Sequence, residues 1–440
     1  MKKLVARLMP LFGLLFITAY IRSATVDVVY TDYIRLINSY LPDVFSLKPY
    51  LHADVLTRIP INYLERIINV VLFKYSTTFD MMLGALGLAV SAWVIGTYAI
   101  EKKLSAAITA VLMLIIFSLD KWEMLTNGTG WVHFWAFACF YYHYLVFDRV
   151  RNGRGKKGDD VRLIVLPIVT ILLVAGPYSA IYAGALFAVY LIDFAAKYRT
   201  KVRPAEIAAI GVPLILFTLS RAFSVEEYSG ATSDSLLAVI TEDPMLFPKM
   251  LFKSFGSMIL GGETATELGV HGAVVCVFGL IVILGYAYAI YVNFKSGLYK
   301  ETAFPMLLIL SGLISHGIVL MSRWIFKSSD YMMSSRYALQ FQSGILGIVL
   351  TFAMAEKKYV KKPLAITFVI LVLAGHLCTT GREIRMAKYR KEYSENMRDT
   401  ALNYKNRTDD DLKLLQYHDT AATRSALKIL EENGLNIFRN

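Results

Sequence analysis

The sequence predicts an all-α polytopic membrane protein with about eleven transmembrane helices and further helices lying in the interface. Three observations predict it. Over 440 residues the chain is 56% hydrophobic and only 18% charged, with mean hydropathy +0.49; soluble domains carry about 25% charged residues. Apolar runs of roughly 17–25 residues, long enough to cross a bilayer, recur along most of the chain. Between them, Lys and Arg gather in short segments, the bias of cytoplasmic loops.

The expected spans lie near 4–22, 79–100, 104–119, 131–147, 162–176, 179–196, 206–222, 269–293, 303–322, 338–355 and 364–380. The first, "LVARLMPLFGLLFITAYIR", follows Met1-Lys2-Lys3 without an A-x-A-type cleavage site and reads as a retained signal anchor. "GPYS" is a turn between the fifth and sixth spans. With the N-terminus in the cytoplasm, the inner loops are "EKK", "DRVRNGRGKKGDDVR", "KYRTKVRP", "KSGLYKE" and "EKKYVKKP", each rich in Lys or Arg. That sets residues 1–380 in the plasma (inner) membrane, with external loops at 23–78, 120–130, 223–268 and 323–337. Residues 381–440 form an external, helical C-terminal tail.

Several chemistries are excluded. The net charge of +12 is the inner-loop bias, not a nucleic-acid surface, because no basic patch is interleaved with aromatics. Cys139, Cys276 and Cys378 have neither metal spacing nor an obvious pairing and read as small buried apolar residues. The sequence has no GxSxG elbow, HExxH helix or P-loop, and its seven histidines form no metal-spaced pair.

Polar residues collect in the external segments. The stretch "VDVVYTDYIRLINSYLPDV" brings Asp27 and Asp32 just past the first span. In "KPYLHADVLTRIPINYLERIINVVLFKY", apolar residues recur at every fourth position from Leu51 to Val71, which suits helices in the membrane interface. The same stretch presents His52, with Asp54 and Arg58 four apart on one face. "DKWEMLTNGTGWVHFW" combines Trp122, Glu123, Asn127, Trp131 and His133 with glycines that permit close backbone approach. Such an aromatic rim with a carboxylate and an amide suits sugar hydroxyls, and Tyr178 of the "GPYS" turn is grouped with it. "SRWIFKSSDYMMSSRY" places Arg323, Lys327 and Arg336 on the face where cations are less expected, and they suit a lipid phosphate.

These segments together resemble the GT-C superfamily of polytopic membrane glycosyltransferases, and more closely its bacterial members with about eleven spans and a short external tail. The resemblance rests on "VYTDYIRL", "HADVLTRIP", "DKWEMLTNG", "SSRYAL" and the tail "YKNRTDDDLKLLQYHDTAATRSALKILEENGLNIFRN". Family members often read Asn-Glu-His-Arg where this chain has "DVLTR", so Arg58 is kept and the Glu-His pair is displaced to His52 and Asp54. The resemblance implies transfer of a sugar from a polyprenyl-phosphate donor to a glycan or lipid-linked acceptor of the cell envelope. It also implies a first-loop carboxylate as base: Asp32 by position, with Asp27 and Asp54 as rivals. Inversion at the anomeric centre is expected, since one base suffices and no covalent nucleophile is needed. A divalent cation would assist the departing phosphate, although the sequence has no dedicated site for one. Two other activities remain in view: a polysaccharide (O-antigen-type) polymerase, with Arg336 and Gly347 at Arg-x10-Gly spacing, and a transporter or flippase of lipid-linked sugars.

Overall fold

The computed structural model describes residues 2–46, 60–198, 203–222 and 231–439, and all regular structure among them is helical. The chain opens with α1 (Lys2–Ala24), the short α2 (Asp32–Tyr40) and α3 (Ile61–Phe73), then the long α4 (Thr77–Glu101). Helices α5 (Ala106–Ile116), α6 (Trp122–Thr126) and α7 (Trp131–Arg151) follow. Next come α8 (Asp159–Val169), α9 (Ser179–Ala195) and α10 (Pro204–Ala222). Three short helices, α11 (Leu236–Glu242), α12 (Leu246–Gly256) and α13 (Gly262–Glu267), lead into α14 (Gly272–Lys295). The chain continues with α15 (Leu298–Glu301), α16 (Phe304–Arg323), α17 (Ala338–Met354) and α18 (Lys362–Leu402), and ends with α19 (Asp409–Leu412) and α20 (Thr420–Glu432). Local sequence sets several starts: Ser76, Ser105 and His271 each accept a backbone N–H at the N-termini of α4, α5 and α14.

Among the described residues, eight helical stretches are long and apolar enough to cross a membrane, so the chain is a polytopic, membrane-embedded helical protein. Four of the expected spans differ in instructive ways. The segment 104–119 contains the eleven-residue α5, about 16 Å long at 1.5 Å per residue and short of the roughly 30 Å hydrocarbon core. Helix α7 has the length, but its Trp, His and Tyr residues lower its hydropathy; it is buried among neighbours that supply polar partners. The expected spans at 162–176 and 179–196 form one helical stretch, Asp159–Ala195, and that stretch reverses direction. Asp159 at its start and Asp193 near its end both pair with the C-terminal end of α7, through Arg149 (3.9 Å) and Arg151 (2.7 Å). The turn at Gly176-Pro177 lies at the other end of α7, where Tyr178 meets His133.

The two ends of the bundle are chemically distinct. At one, Glu101, Lys102, Asp148, Arg149, Arg151, Asp159 and Asp193 interlock in buried ion pairs. Asp148 also accepts from Thr302 Oγ1 (2.7 Å) and the Ala303 amide (2.8 Å), pinning the start of α16. At the opposite end α2, α6, the 323–337 segment and the tail meet. The loop expected at 223–268 is not wholly peripheral there. Helix α12 buries Leu246, Met250 and Phe255 along α14 and reaches α16, where Ser254 bonds His316 at 2.9 Å. Cysteines depart from expectation too: Cys139 and Cys276 are half-buried and Cys378 is exposed on α18, facing outward from the bundle.

The expected boundary at 380/381 falls inside α18, whose 41 residues run continuously to Leu402. At about 60 Å it is twice the hydrocarbon thickness, so its second half leaves the membrane and carries the tail. The tail folds back on the first loop. Val28, Val29, Ile34 and Ile37 pack with Leu412, Leu415, Leu427 and Leu430 in a second apolar core. The Thr31 amide donates to Leu415 O at 2.8 Å, and Asn38 Nδ2 to Ala422 O at 2.8 Å. Leu427 is fully buried here, and its truncation to alanine should cost about 2–5 kcal/mol. In Leu427→Ala, limited proteolysis should release the tail faster than in the parent; unchanged cleavage would mean this core does not hold it.

Candidate functional site

Asp27 lies where the first loop leaves α1, and all its acceptor capacity is used. Its carboxylate accepts from Ser76 Oγ (2.7 Å), the Thr77 amide (2.7 Å), Thr77 Oγ1 (2.8 Å) and Asn436 Nδ2 (3.0 Å), and pairs with Arg439 at 3.2 Å. It therefore anchors the start of α4 and the end of the tail to the first loop. Asp32 differs. It is the first residue of α2, half-exposed, with its carboxylate 3.6 Å from Arg35 one turn on. Thr31 holds the N-cap position, so Asp32 favours the positive helix end without capping it.

The structure gathers part of the expected site around Tyr30. Glu123 on α6 pairs with Arg336 at 2.5 Å and accepts from Ser335 Oγ at 3.4 Å, joining the 120–130 and 323–337 segments. The charges of Glu123, Arg336 and Asp32 all act on the Tyr30 hydroxyl; burial first, then the two carboxylates, push it above its usual range. Beside this group, Tyr178 lies within electrostatic reach of Tyr337 and Arg323, and packs edge-on to His133 with centroids 4.8 Å apart. Arg323 faces the Phe326 and Tyr337 rings.

Other expected members serve structural contacts, and Lys327 stands apart. Lys327 pairs with Asp234 at 2.7 Å and with Glu242, away from Arg336. Asn127 caps the turn 128–130, accepting from Thr129 N and Oγ1. Trp131 is buried at the start of α7. Trp122 lies against the Arg390 guanidinium, 3.2 Å from its ring centre, and its indole N–H has no partner among the described residues. His52, Asp54 and Arg58 lie outside the described residues.

The glycines of "TNGTG" serve close approach as expected. A Cβ on Gly128 would fall 2.0 Å from the Tyr33 hydroxyl and 2.8 Å from Asp80 Cβ. The gap lets Tyr33 donate to Asp80 at 2.6 Å. Asp80 also accepts from Asn69 at 2.6 Å and hydrogen-bonds Glu65, so α2, α3 and α4 share one buried polar knot. Helix α3 is accordingly inside out. Glu65, Arg66 and Asn69 face the protein while Leu64, Ile68, Val71 and Leu72 are exposed, the arrangement of a helix resting on lipid.

A second buried cluster was not singled out from the sequence. His376 on α18 meets Asp120 at 2.5 Å and Ser118 Oγ at 2.9 Å through Nδ1. Lys121, wholly buried, donates to the Ile116 and Ser118 carbonyls at 2.9 Å each, and burial pushes its ammonium down to about 8. Asp120 Oδ1 and His376 Nε2 have no partner among the described residues. Further along α18, Glu383 is buried and held by Tyr20, Arg382 and Arg390. The signal was legible as a helical stripe: His376, Thr379, Glu383, Arg390 and Ser394 recur at multiples of three and four residues, running on from the last apolar span.

No protein-family model, curated protein or solved structure matches this chain. The chemistry must therefore be read from its own residues.

One consequence concerns pH. Burial raises the Glu65 carboxyl, opposed by hydrogen bonds from Asp80 and Asn69 and by the charge of Arg66. A folded-state pKa above the unfolded value, about 4.3, gives stability that is full below that value and lost as pH rises through the folded one. The thermal midpoint of the purified protein should therefore fall over that window, and Glu65→Gln should flatten the fall. A variant with the parent's pH slope would dissociate Glu65 from it.

Proposed function

We propose that the chain is a GT-C-like membrane glycosyltransferase with about eleven membrane crossings. It moves a sugar from a polyprenyl-phosphate donor to a cell-envelope acceptor on the extracytoplasmic face. One observation carries the reading: residues from three separate external segments, Asp32, Glu123 and Arg336, converge on Tyr30. Arg323, Tyr337, Tyr178 and His133 continue the same rim. Carboxylates, guanidinium groups and aromatic rings are what sugar transfer from a lipid phosphate needs.

In this reading the acceptor hydroxyl oxygen attacks the anomeric carbon, and its proton passes to Asp32. The bond from that carbon to the phosphate oxygen breaks, and polyprenyl phosphate leaves with the electron pair. Arg336 and Arg323 balance its charge, with Glu123 orienting Arg336. Displacement from the opposite face inverts the centre. Asp32 suits the base better than Asp27 because its oxygens are not filled by donors. Among the described residues no three His, Cys, Asp or Glu side chains gather to hold a metal ion; His52 and Asp54 lie outside those residues.

A second reading has its own support. Ionisable groups buried within the bundle, Asp120, Lys121 and His376, are costly, and such groups in membrane proteins mark ion or proton paths. They favour a carrier of lipid-linked sugars over a polymerase. Purified protein given polyprenyl-phospho-sugars and acceptors separates the two: a new glycosidic product supports the transferase, and movement of intact donor across vesicles supports the carrier.

Asp32→Asn keeps size and hydrogen bonding but removes basicity. It should slow transfer on the order of 10²–10⁴-fold at an unchanged thermal midpoint, while near-normal turnover would reduce Asp32 to its pairing with Arg35.

In the proposed topology the N-terminus is cytoplasmic and the tail extracytoplasmic. A reporter active only in the cytoplasm, fused after Asn440, should stay silent; a strong signal would move the whole rim to the other face.

A further inference from the structure

The opposite end of the bundle holds a cavity the transfer reaction does not use. Its volume is about 460 Å³, and it is lined by Lys3, Ala6, Ala99, Ile100, Lys103, Leu104 and Thr109. Helix crossing explains it. The backbones of α1 and α4 touch at Ala6 and Gly96, where a Cβ on Gly96 would sit 2.6 Å from the Ala6 carbonyl oxygen. Beyond that contact the helices diverge, and the small side chains of Ala6 and Ala99 leave the space between them and α5 unfilled.

The two lysines at this cavity contrast with the cations around them. Lys102 turns inward to Asp148 at 3.1 Å, and Arg149, Arg151, Arg154, Lys156 and Arg162 all have carboxylate partners. The Lys3 and Lys103 side chains have no hydrogen bond or ion pair among the described residues, and both residues are exposed. Lys103 is also held in the left-handed region, with φ of 57°. It stands just past the end of α4, where the Leu104 amide bonds Ala99 O at 2.9 Å. Glycine is the usual occupant of such a position because it meets no steric penalty there. A lysine there carries some backbone strain, as Lys74, Lys197 and Lys327 also do, and here it sets the charge beside the cavity.

The surroundings say which anion fits. Between the two lysines the lining is apolar, Ala6, Ala99, Ile100 and Leu104, and α1 and α4 both have the length and composition to cross a membrane. Basic pockets between transmembrane helices on the cytoplasmic side hold anionic headgroups. We propose that this cavity binds an anionic phospholipid of the adjacent leaflet. Its phosphodiester lies between Lys3 and Lys103, and the first methylenes of an acyl chain lie along Ala6, Ala99, Ile100 and Leu104.

The test uses the full-length protein in detergent, with phosphatidylglycerol or phosphatidylcholine titrated and bound lipid counted by native mass spectrometry. Phosphatidylglycerol should be preferred. Lys3→Gln and Lys103→Gln should each weaken it about five-fold, the effect of removing one cation near a lipid phosphate. Lys157→Gln, an exposed lysine at the same end of the bundle, should leave it unchanged. Lys103→Gly is the sharper variant, because it relieves the strained backbone. Its thermal midpoint without lipid should hold or rise while the preference for phosphatidylglycerol falls. Equal binding of the two lipids, parent-like binding by the Lys3/Lys103 double glutamine variant, or an equal loss in Lys157→Gln would each overturn the assignment. Full displacement of the lipid by inorganic phosphate at equal concentration would make this a free-phosphate site and overturn it as well.

Discussion

Asp27 is the junction on which the extramembrane half of the protein depends. One carboxylate holds the first turn of α4, the residue before it and the far end of the tail, more than four hundred residues away in sequence. The exposed N–H groups of a helix start favour an anion, and Ser76 and Thr77 add hydroxyl donors. Without Asp27, Asn436 and Arg439 would lose their carboxylate and keep only the backbone carbonyls of Phe73, Lys74 and Tyr75 where the tail closes over the first loop. The second apolar core and these backbone contacts would then have to hold the tail, with a partly buried polar seam opened beneath them. The position of α2, and with it Asp32, follows from this closure.

The two ends of the bundle solve different problems with the same residues. At the end holding Asp148 and Arg151, the buried charges are paired, so helices α4, α7, α8, α9 and α16 are locked in register. Buried pairs of this kind contribute little net stability over apolar packing but are severe to break, which suits a rigid base. At the other end Glu123 and Arg336 pair while still partly exposed, and Asp32 faces only Arg35 at a long distance. Charges left accessible on a rigid frame are what a site requires; the same charges buried would be scaffold.

Much of this was legible in the sequence because hydropathy and positive-charge bias act at the scale of whole helices. The grouping of Lys and Arg in short loops placed Glu101 to Lys103, Arg149 to Arg162 and Tyr299 to Thr302 together, and they do share one end. The close approach expected of "TNGTG" is realised at Gly128, because a missing Cβ is a local property. What escaped were features that depend on partners distant in sequence. Helix α5 reads as a span by composition, yet it stops short so that Lys121 can cap its carbonyls. Asp27 and Asp32 look alike in a line of residues, and only the fold shows that one is saturated by donors from α4 and the tail. The stripe on α18 was visible as periodicity, but its polar residues were counted as tail because apolar length alone had set the boundary at residue 380.

That stripe links the depths of the bundle to the rim. From the Asp120–His376 pair it rises through Glu383 to Arg390, whose guanidinium rests on Trp122. Trp122 is the residue before Glu123, and Glu123 holds Arg336. A rotation or shift of α18 would therefore act on the rim through Arg390 and Trp122 with no intervening flexible loop. The same helix carries the tail that closes over Asp27. Helix α18 thus connects both determinants of the site: the closure that positions Asp32, and the stacked ring beneath the Glu123–Arg336 pair. In an extramembrane surface built from short helices, a single long helix is the element able to hold two such contacts at a fixed distance, and this is the physical reason for its continuing so far beyond the membrane.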